Sequence, residues 1–343
     1  MSAADFNFFI AAMFWTAVGV LGFAMTLVML LLLLRLRAII RRRHANKVVS
    51  RWRAIFAGVL PSEPRRIRRG DAFTVLSLWN DFQRVRATDR NVDVSHLDDI
   101  ARFQQLPVLA LKMLARGDAG DRIVALTFLG YLRFAGASSQ INALTTDAVP
   151  EVALAAFRAL ALAERSEVAA FARAIASHDD WRLQTVEQIL KELGAAQISG
   201  PLVRAADGIS DERLLRVLRF FSLCEAAIAR PALRKILQRR SNPDVLASAL
   251  RALTPFVLPQ DRALVRAFLC HPTAYVRAAA AVAIMPVCIA EDRAALMRLL
   301  AEQDSFVRYR AAQTLLERFA HNGQVAGLQR DVTDPYAQDA LLS

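Results

Sequence analysis

The chain has 343 residues, a net charge of +12, 55% hydrophobic residues and a mean hydropathy of +0.28. Strong helix formers dominate and long alternating Val/Ile/Thr runs are missing, so the composition favours an all-α fold and gives strands little support. The three cysteines, Cys224, Cys270 and Cys288, are widely spaced and odd in number, which argues against a disulfide framework. We interpret them as reduced thiols that fill helical core positions.

The positive charge is confined to one short segment. From Arg35 to Arg69 there are twelve basic residues and one acid, Glu63, whereas the rest of the chain carries 32 basic and 31 acidic residues. The remainder is therefore almost neutral. Because phosphate neutralisation dominates nucleic-acid affinity, we expect no nucleic-acid partner for it.

The N-terminal part of the chain is predicted to form a membrane anchor. Residues 6–34 contain no charged side chain, and a helix of that length is about 43 Å long, against a hydrocarbon core of about 30 Å. Residues 1–5 lack Lys and Arg, and basic residues follow the apolar run, which does not fit a cleaved signal peptide. We predict a transmembrane helix over residues 1–35, with the N-terminus outside and the remainder in the cytoplasm by the positive-inside rule.

A basic amphipathic helix and a hinge are predicted for residues 36–70. Apolar side chains fall on one helical face at Val48, Trp52, Ile55, Phe56 and Val59. Two interpretations remain open: the helix lies on anionic lipid, or its apolar face packs on the first repeat. In the first interpretation, the residues that contact the membrane surface are Arg41, Arg42, Arg43, Lys47, Arg51, Trp52 and Arg53.

Two motifs recur with a period of 31 residues near the C-terminus. Residues 261–264 recur at 292–295, and Tyr275–Arg277 recurs as Phe306–Arg308. We call the Val in the middle of the second motif the anchor, because small residues follow it at the fourth and seventh positions, as close helix packing requires. The anchors recur in steps of 29 to 33 residues, at Ile123, Val152, Trp181, Leu214, Val245, Val276 and Val307.

Steps of this length fit a helix–turn–helix unit that buries its apolar stripe by stacking on the next unit. We therefore predict an α-solenoid over residues 71–322, with an irregular N-terminal cap at 71–115 and a C-terminal cap or tail at 323–343. Turn residues before the second helices, among them Asn242, His271 and Asp304, are expected to cap them.

The pattern of Asp304, Val307–Arg308 and Ala311 resembles the second helix of HEAT repeats. Together with the predicted membrane anchor at residues 1–35 and with Trp79–Asn80, this pattern makes the chain look like a member of a bacterial family of membrane-anchored HEAT-repeat proteins with HEAT/PBS-lyase-like repeats. The resemblance implies a single-pass protein of the bacterial inner (cytoplasmic) membrane. It also implies a link to a membrane glycosyltransferase or a cell-surface polysaccharide system.

No sequence motif points to catalysis. Phosphate-binding loops, dinucleotide glycine patterns, His-Glu-x-x-His and Gly-x-Ser-x-Gly are all missing, and the five histidines are scattered. His178 and His271 lie in predicted turns, where capping is the expected role. We expect no enzyme, no catalytic residue, no cofactor, no metal and no small-molecule substrate. The alternative is a HEAT-like enzyme of the bilin-lyase or DNA-glycosylase type, and it is disfavoured. A bilin lyase needs no membrane anchor, and a DNA glycosylase needs a basic groove, whereas the repeat region is almost neutral.

Arginine follows the anchor in several repeats, at Arg182, Arg277 and Arg308. These arginines either form an Arg–Asp ladder that ties repeats together or line the concave face and bind an acidic partner. Tyr309, Arg310 and Gln313 would extend such a surface. We therefore predict a membrane-tethered cytoplasmic scaffold or adaptor that binds a protein partner and contacts anionic lipid.

Overall fold

The computed structural model describes residues 46–59, 67–88 and 96–319, together with five isolated positions between 25 and 35. In this part of the chain the regular structure is entirely helical, which confirms the all-α prediction. The predicted anchor at 1–35, apart from those five positions, and the predicted tail at 323–343 lie outside the described residues. Among the helices described, none is long and apolar enough to cross a membrane.

The chain divides into two compact units, Met1–Leu132 and Arg133–Ser343, here called unit 1 and unit 2. The described helices of unit 1 are α1 (46–56), α2 (Ala72–Thr88), α3 (His96–Phe103), α4 (Leu106–Arg116) and α5 (Ala119–Leu132). Pro107 occupies the first turn of α4, where its missing N–H costs no hydrogen bond. The preceding Gln105 adopts a left-handed conformation with φ of 54°, so the chain turns sharply between α3 and α4.

Trp79 and Asn80 organise the interior of unit 1. The Trp79 ring is fully buried, lies 4.5 Å from the Phe128 ring between centroids, and donates from Nε1 to the Leu97 carbonyl at 3.2 Å. The neighbouring Asn80 Nδ2 donates to the Val124 carbonyl at 3.1 Å. Two adjacent side chains on α2 therefore fix both α3 and α5.

Unit 2 consists of helix pairs, and over part of its length like helices of successive pairs stack on one another. The helices are α6 (Ser138–Ala143), α7 (Pro150–Ala163), α8 (Val168–Ser177), α9 (Leu183–Leu193), α10 (Ala195–Ala205), α11 (Asp211–Leu218), α12 (Ala226–Arg239), α13 (Pro243–Leu253), α14 (Arg262–Ala267), α15 (Ala274–Ile284), α16 (Arg293–Leu300) and α17 (Ser305–Phe319). Helices α8, α10 and α12 stack in succession, as do α11, α13, α15 and α17. This arrangement is the stacking expected of an α-solenoid.

The predicted register agrees with the structure best in the last three pairs. Val245, Val276 and Val307 are fully buried in the first turns of α13, α15 and α17. The small residues four positions later are also fully buried, which lets neighbouring second helices approach closely. Thr314, seven positions after the last anchor, donates its hydroxyl to the Ala281 carbonyl of α15 at 2.8 Å.

The middle of unit 2 departs from the repeat. Trp181 is buried but precedes α9, so this anchor lies in a turn instead of in the second helix. Its ring stacks on His178, with centroids 4.4 Å apart and an interplanar angle of 4°. His178 is also the C-cap residue of α8, where its N–H donates to the Ala174 carbonyl at 3.0 Å, which agrees with the predicted capping role.

Asn242 and Asp304 cap the helices that follow them, as the sequence predicts, and His271 forms a hydrogen bond within its turn. The Asn242 side chain accepts from the Asp244 N–H at 2.9 Å, and His271 Nδ1 accepts from the Thr273 N–H at 3.1 Å. Asp304 Oδ1 accepts from two successive N–H groups, those of Phe306 and Val307, at 2.9 and 3.2 Å. Asn242 and Asp304 thereby satisfy backbone donors that the first turns of α13 and α17 leave without a partner, whereas His271 bonds to Thr273, the residue before α15.

Candidate protein interface

The basic helix α1 packs its apolar face inside unit 1. Ile55 and Phe56 are buried, and the Phe56 ring lies 5.9 Å from the Phe82 ring of α2 between centroids. This packing assigns the apolar face of α1 to the protein interior and leaves its basic face exposed. Trp52, only 8% exposed, is a core residue, so its predicted contact with a membrane surface is corrected.

Three of the predicted membrane-contact residues, Lys47, Arg51 and Arg53, are exposed on the opposite side of α1. Arg41, Arg42 and Arg43 lie outside the described residues. Val59, which the pattern assigns to the apolar face, follows the end of α1 and is exposed. The apolar stripe therefore ends with the helix.

An Arg–Asp ladder links the repeats, but arginines other than the predicted ones form it. Asp261 and Asp292 are buried carboxylates 31 residues apart. Asp261 pairs with Arg234 of α12, and Asp292 accepts from Arg262 Nε at 2.8 Å and from Arg262 Nη2 at 3.0 Å. Each ladder arginine thus belongs to a first helix and reaches the carboxylate that opens the next pair.

The same carboxylates also accept hydrogen bonds from backbone N–H groups of their own turns. Asp292 Oδ2 accepts from the Ile289 N–H at 3.1 Å, and Asp261 does the same for Leu258 at 2.8 Å. Burial alone would raise the pKa of Asp292, but the hydrogen bonds from Arg262 and from the Ile289 N–H outweigh it and lower the pKa. Asp292 is therefore a structural carboxylate that stays ionised.

Two of the arginines that follow anchors hold the turns before their own helices. Arg277 Nη1 donates to the carbonyls of His271 and Pro272 at 2.7 and 2.8 Å, and Arg277 also pairs with Glu302 of the next turn. Arg308 is buried and donates to the carbonyls of Glu302 and Gln303 at 2.6 and 2.8 Å. These guanidinium groups are occupied within the fold, whereas Arg182 is exposed before α9.

Arg216 performs a similar role that the sequence did not reveal. From α11 it donates to the Ile175 carbonyl at 2.8 Å and the Trp181 carbonyl at 3.0 Å, in the turn of the preceding pair. No 31-residue counterpart marks this residue, so periodicity alone could not find it.

The first two turns of α17 expose an aromatic pair around an arginine. Phe306 is 51% exposed and Tyr309 is 44% exposed. The Arg310 guanidinium carbon lies 5.0 Å from the Phe306 ring centroid and 5.6 Å from that of Tyr309. Arg310 also donates to Gln313 Oε1 at 3.0 Å, so its position is fixed from the polar side as well.

Tyr275 begins the adjacent helix α15 and is 43% exposed. Partial desolvation and a hydrogen bond to the Asp244 carboxylate raise its pKa, so the phenol remains neutral. We call Tyr275, Phe306, Tyr309, Arg310 and Gln313 the aromatic–arginine surface. The sequence predicted three of these residues as binding candidates and missed Tyr275 and Phe306. The available signal was an aromatic ring before the anchor in two successive repeats.

The cysteines divide into two classes. Cys224 and Cys288 are buried, as predicted, and burial raises the pKa of each thiol to about 11. Cys270 is exposed at the turn after α14, so its assignment to the core is corrected.

In the part of the chain that the structure describes, no group of three or more His, Cys, Asp or Glu side chains could hold a metal ion.

Alkylation should distinguish these cysteines. Because the thiolate is the reactive form, native protein treated with iodoacetamide at neutral pH is expected to be modified at Cys270 but not at Cys224 or Cys288. Mass spectrometry of tryptic peptides measures this directly, with protein alkylated in urea as the control for full reactivity. Rapid modification of Cys224 or Cys288 in the native protein would contradict their burial.

Comparison with known proteins supports the repeat architecture. Residues 230–316, which span α12 to α17, match the family model of HEAT repeats. No curated protein matches the sequence.

Two solved structures show weak similarity. Human deoxyhypusine hydroxylase in complex with glycerol is 15% identical, with 73% of this chain and 98% of that chain covered and a TM-score of 0.30. An engineered protein is 17% identical, with 73% and 92% covered and a TM-score of 0.23. Both TM-scores are too low to support a conclusion about fold or activity. The family match alone carries the assignment, and it identifies HEAT repeats within residues 230–316.

Proposed function

We propose that the protein is a scaffold or adaptor that binds a protein partner through the aromatic–arginine surface. The observation that carries this proposal is the exposed pair Phe306 and Tyr309 with Arg310 within 5.0 and 5.6 Å of the two rings. Tyr and Arg are among the residues that dominate binding energy at protein interfaces, and Phe is also enriched there. Single exposed apolar residues are ordinary on a protein surface, but a cluster of rings around a fixed cation favours a recognition site.

Two other candidate arginines, Arg277 and Arg308, are expected to support the aromatic–arginine surface structurally. Because Arg277 and Arg308 hold the turns before α15 and α17, they fix the helix ends from which Tyr275 and Phe306 project. A rigid surface loses less conformational entropy when a partner binds. We expect Arg310 to contact the partner directly and Arg277 and Arg308 to position the surface.

We further propose that the scaffold is tethered to the cytoplasmic face of a bacterial inner membrane by a single N-terminal span. The uncharged run at 6–34 and the basic segment that follows support this topology. Tethering raises the effective concentration of any partner in the same membrane. A membrane glycosyltransferase or another component of a cell-surface polysaccharide system is the partner class that the family resemblance favours.

A binding role is favoured over a catalytic one. Perturbed titratable groups cluster in active sites, whereas three such groups among the described residues belong to the packing of the fold: Asp292 lies in the inter-repeat ladder, and Cys224 and Cys288 lie in the core. The near-neutral repeat region also favours a protein partner over nucleic acid.

The test is co-purification of full-length protein from detergent-solubilised membranes of its host. The triple variant Phe306→Ala/Tyr309→Ala/Arg310→Ala is expected to reduce recovery of the partner at least tenfold, because residues at the centre of an interface each contribute about 2 kcal/mol or more. The matched control replaces exposed residues elsewhere, Phe73→Ala/Phe103→Ala/Arg219→Ala, and should leave recovery unchanged. Equal recovery with both variants would contradict the assignment of this surface.

A further inference from the structure

The apolar face of α1 is closed by unit 1. Trp52, Ile55 and Phe56 are all buried, and the Trp52 and Phe56 rings lie 5.3 Å apart between centroids. The His96 ring Nε2 lies 2.8 Å from the Phe56 carbonyl, so the start of α3 also holds the C-terminal end of α1. The helix is therefore a fixed part of unit 1.

The opposite face of α1 is uniformly basic. Lys47, Arg51 and Arg53 are exposed, and Ser50 lies exposed among them. At 100° per residue these side chains cover about 160° of the helix surface, on the side opposite Trp52. No acidic residue occurs between positions 46 and 56 to neutralise them.

We propose that the basic face of α1 rests on the headgroups of anionic phospholipid without inserting apolar side chains. This inference rests on the proposed membrane tether, which brings residues 46–56 close to the bilayer. An amphipathic helix that enters a membrane must bury its apolar face in the acyl chains, and here the interior of unit 1 already occupies that face. The contact is consequently electrostatic, worth roughly fivefold in affinity for each cation, and it orients unit 1 with α1 toward the bilayer.

The experiment measures the environment of α1 in the full chain. Full-length protein carrying Ser50→Cys and Cys270→Ser is labelled with a nitroxide and reconstituted in vesicles of phosphatidylcholine with or without phosphatidylglycerol. The buried Cys224 and Cys288 are expected to remain unlabelled. Relaxation by a water-soluble nickel complex and by a nickel-chelating lipid then reports whether Ser50 faces water or headgroups.

We expect phosphatidylglycerol to reduce access of the soluble complex to the label several-fold at about 0.15 M salt, and high salt to restore it. Lys47→Glu/Arg51→Glu/Arg53→Glu should abolish the effect. The control, Arg219→Glu/Arg251→Glu/Arg298→Glu, makes the same charge change on exposed arginines of unit 2 and should leave the effect intact.

Three results would overturn the proposal. A label that stays equally accessible in neutral and anionic vesicles, with the protein retained in them, excludes the lipid contact and leaves the tether standing. Headgroup contact that persists at high salt indicates insertion and excludes an electrostatic mode. Protein that is not retained in vesicles at all removes the tether and this contact together.

Discussion

Asp292→Ala is expected to destabilise unit 2 by about 3 kcal/mol. The side chain is fully buried, accepts two hydrogen bonds from Arg262 and one from the Ile289 N–H, and lies 3.2 Å from Arg266 Nε. Removing it takes the acceptor from the Ile289 N–H and from Arg266 and leaves Arg262 with Glu291 alone, and a buried donor left unpaired costs about 1–3 kcal/mol by itself. Part of the arginine surface faces water, so the loss stays below that of a fully enclosed ion pair.

Urea denaturation followed by circular dichroism measures this change. Asp292→Asn, which keeps an acceptor for Ile289 but loses the charge, is expected to cost about half as much. Asp207→Ala serves as the control, because its pair with Lys235 is largely exposed and surface pairs contribute about 0–1 kcal/mol. Equal unfolding midpoints for Asp292→Ala and the native protein would show that the ladder does not stabilise unit 2.

Acid pH gives an independent check on the same carboxylate. The pKa of Asp292 is lower in the folded protein than in the unfolded chain, where an Asp titrates near about 3.9. Its contribution is therefore complete above that unfolded value and is lost as the pH falls through the lower folded value. The stability difference between native protein and Asp292→Asn should shrink progressively below about pH 4.

Trp79→Ala is expected to destabilise unit 1 by about 3–5 kcal/mol. The substitution leaves a cavity against Phe128 and removes the donor to the Leu97 carbonyl that joins α2 to α3. Hydrogen exchange measures the effect locally, as loss of amide protection in α2, α3 and α5.

Two further substitutions serve as comparisons for Trp79→Ala. Trp79→Phe keeps much of the ring contact but not the hydrogen bond and should cost less than Trp79→Ala. Phe73→Ala, on the same helix but half exposed, should fall within about 1 kcal/mol of the native protein. If Trp79→Ala left protection of α3 unchanged, the residue could not be the link between these helices.

The repeat architecture could be predicted because its cause is periodic. Close packing of successive second helices demands small residues at fixed distances after the anchor. Such residues recur in the sequence after Val245, Val276 and Val307. The register fails at Trp181 because the turn itself buries this large ring, which stacks on His178.

The electrostatic contacts were less predictable than the packing. An arginine one residue after the anchor looks the same whether its guanidinium reaches a partner or the carbonyls of its own turn, as Arg277 and Arg308 do. The ladder arginines are not in equivalent positions, since Arg234 precedes its Asp by 27 residues and Arg262 precedes its Asp by 30. A long flexible side chain tolerates such shifts, so they leave no period in the sequence.

Amphipathicity likewise cannot distinguish burial in protein from burial in lipid. The face that contains Trp52 and Phe56 satisfies both, and only the Phe82 ring packed against it decides for protein. Similarly, Tyr309 and Arg310 are recognisable as binding residues by type, whereas Phe306 is an apolar residue that only its 51% exposure separates from the core.

The most direct test of partner binding at the aromatic–arginine surface is site-specific photocrosslinking in intact cells. A photoreactive phenylalanine at Tyr309 of the full-length protein should give one discrete adduct, which Phe306→Ala/Arg310→Ala abolishes. The same group at Phe103, which lies in unit 1 and is 53% exposed, should not give that adduct. An adduct specific to Tyr309 would identify the partner by mass spectrometry and support the scaffold. Indistinguishable products at Tyr309 and Phe103, or no product at Tyr309 in cells that contain the whole membrane system, would contradict it.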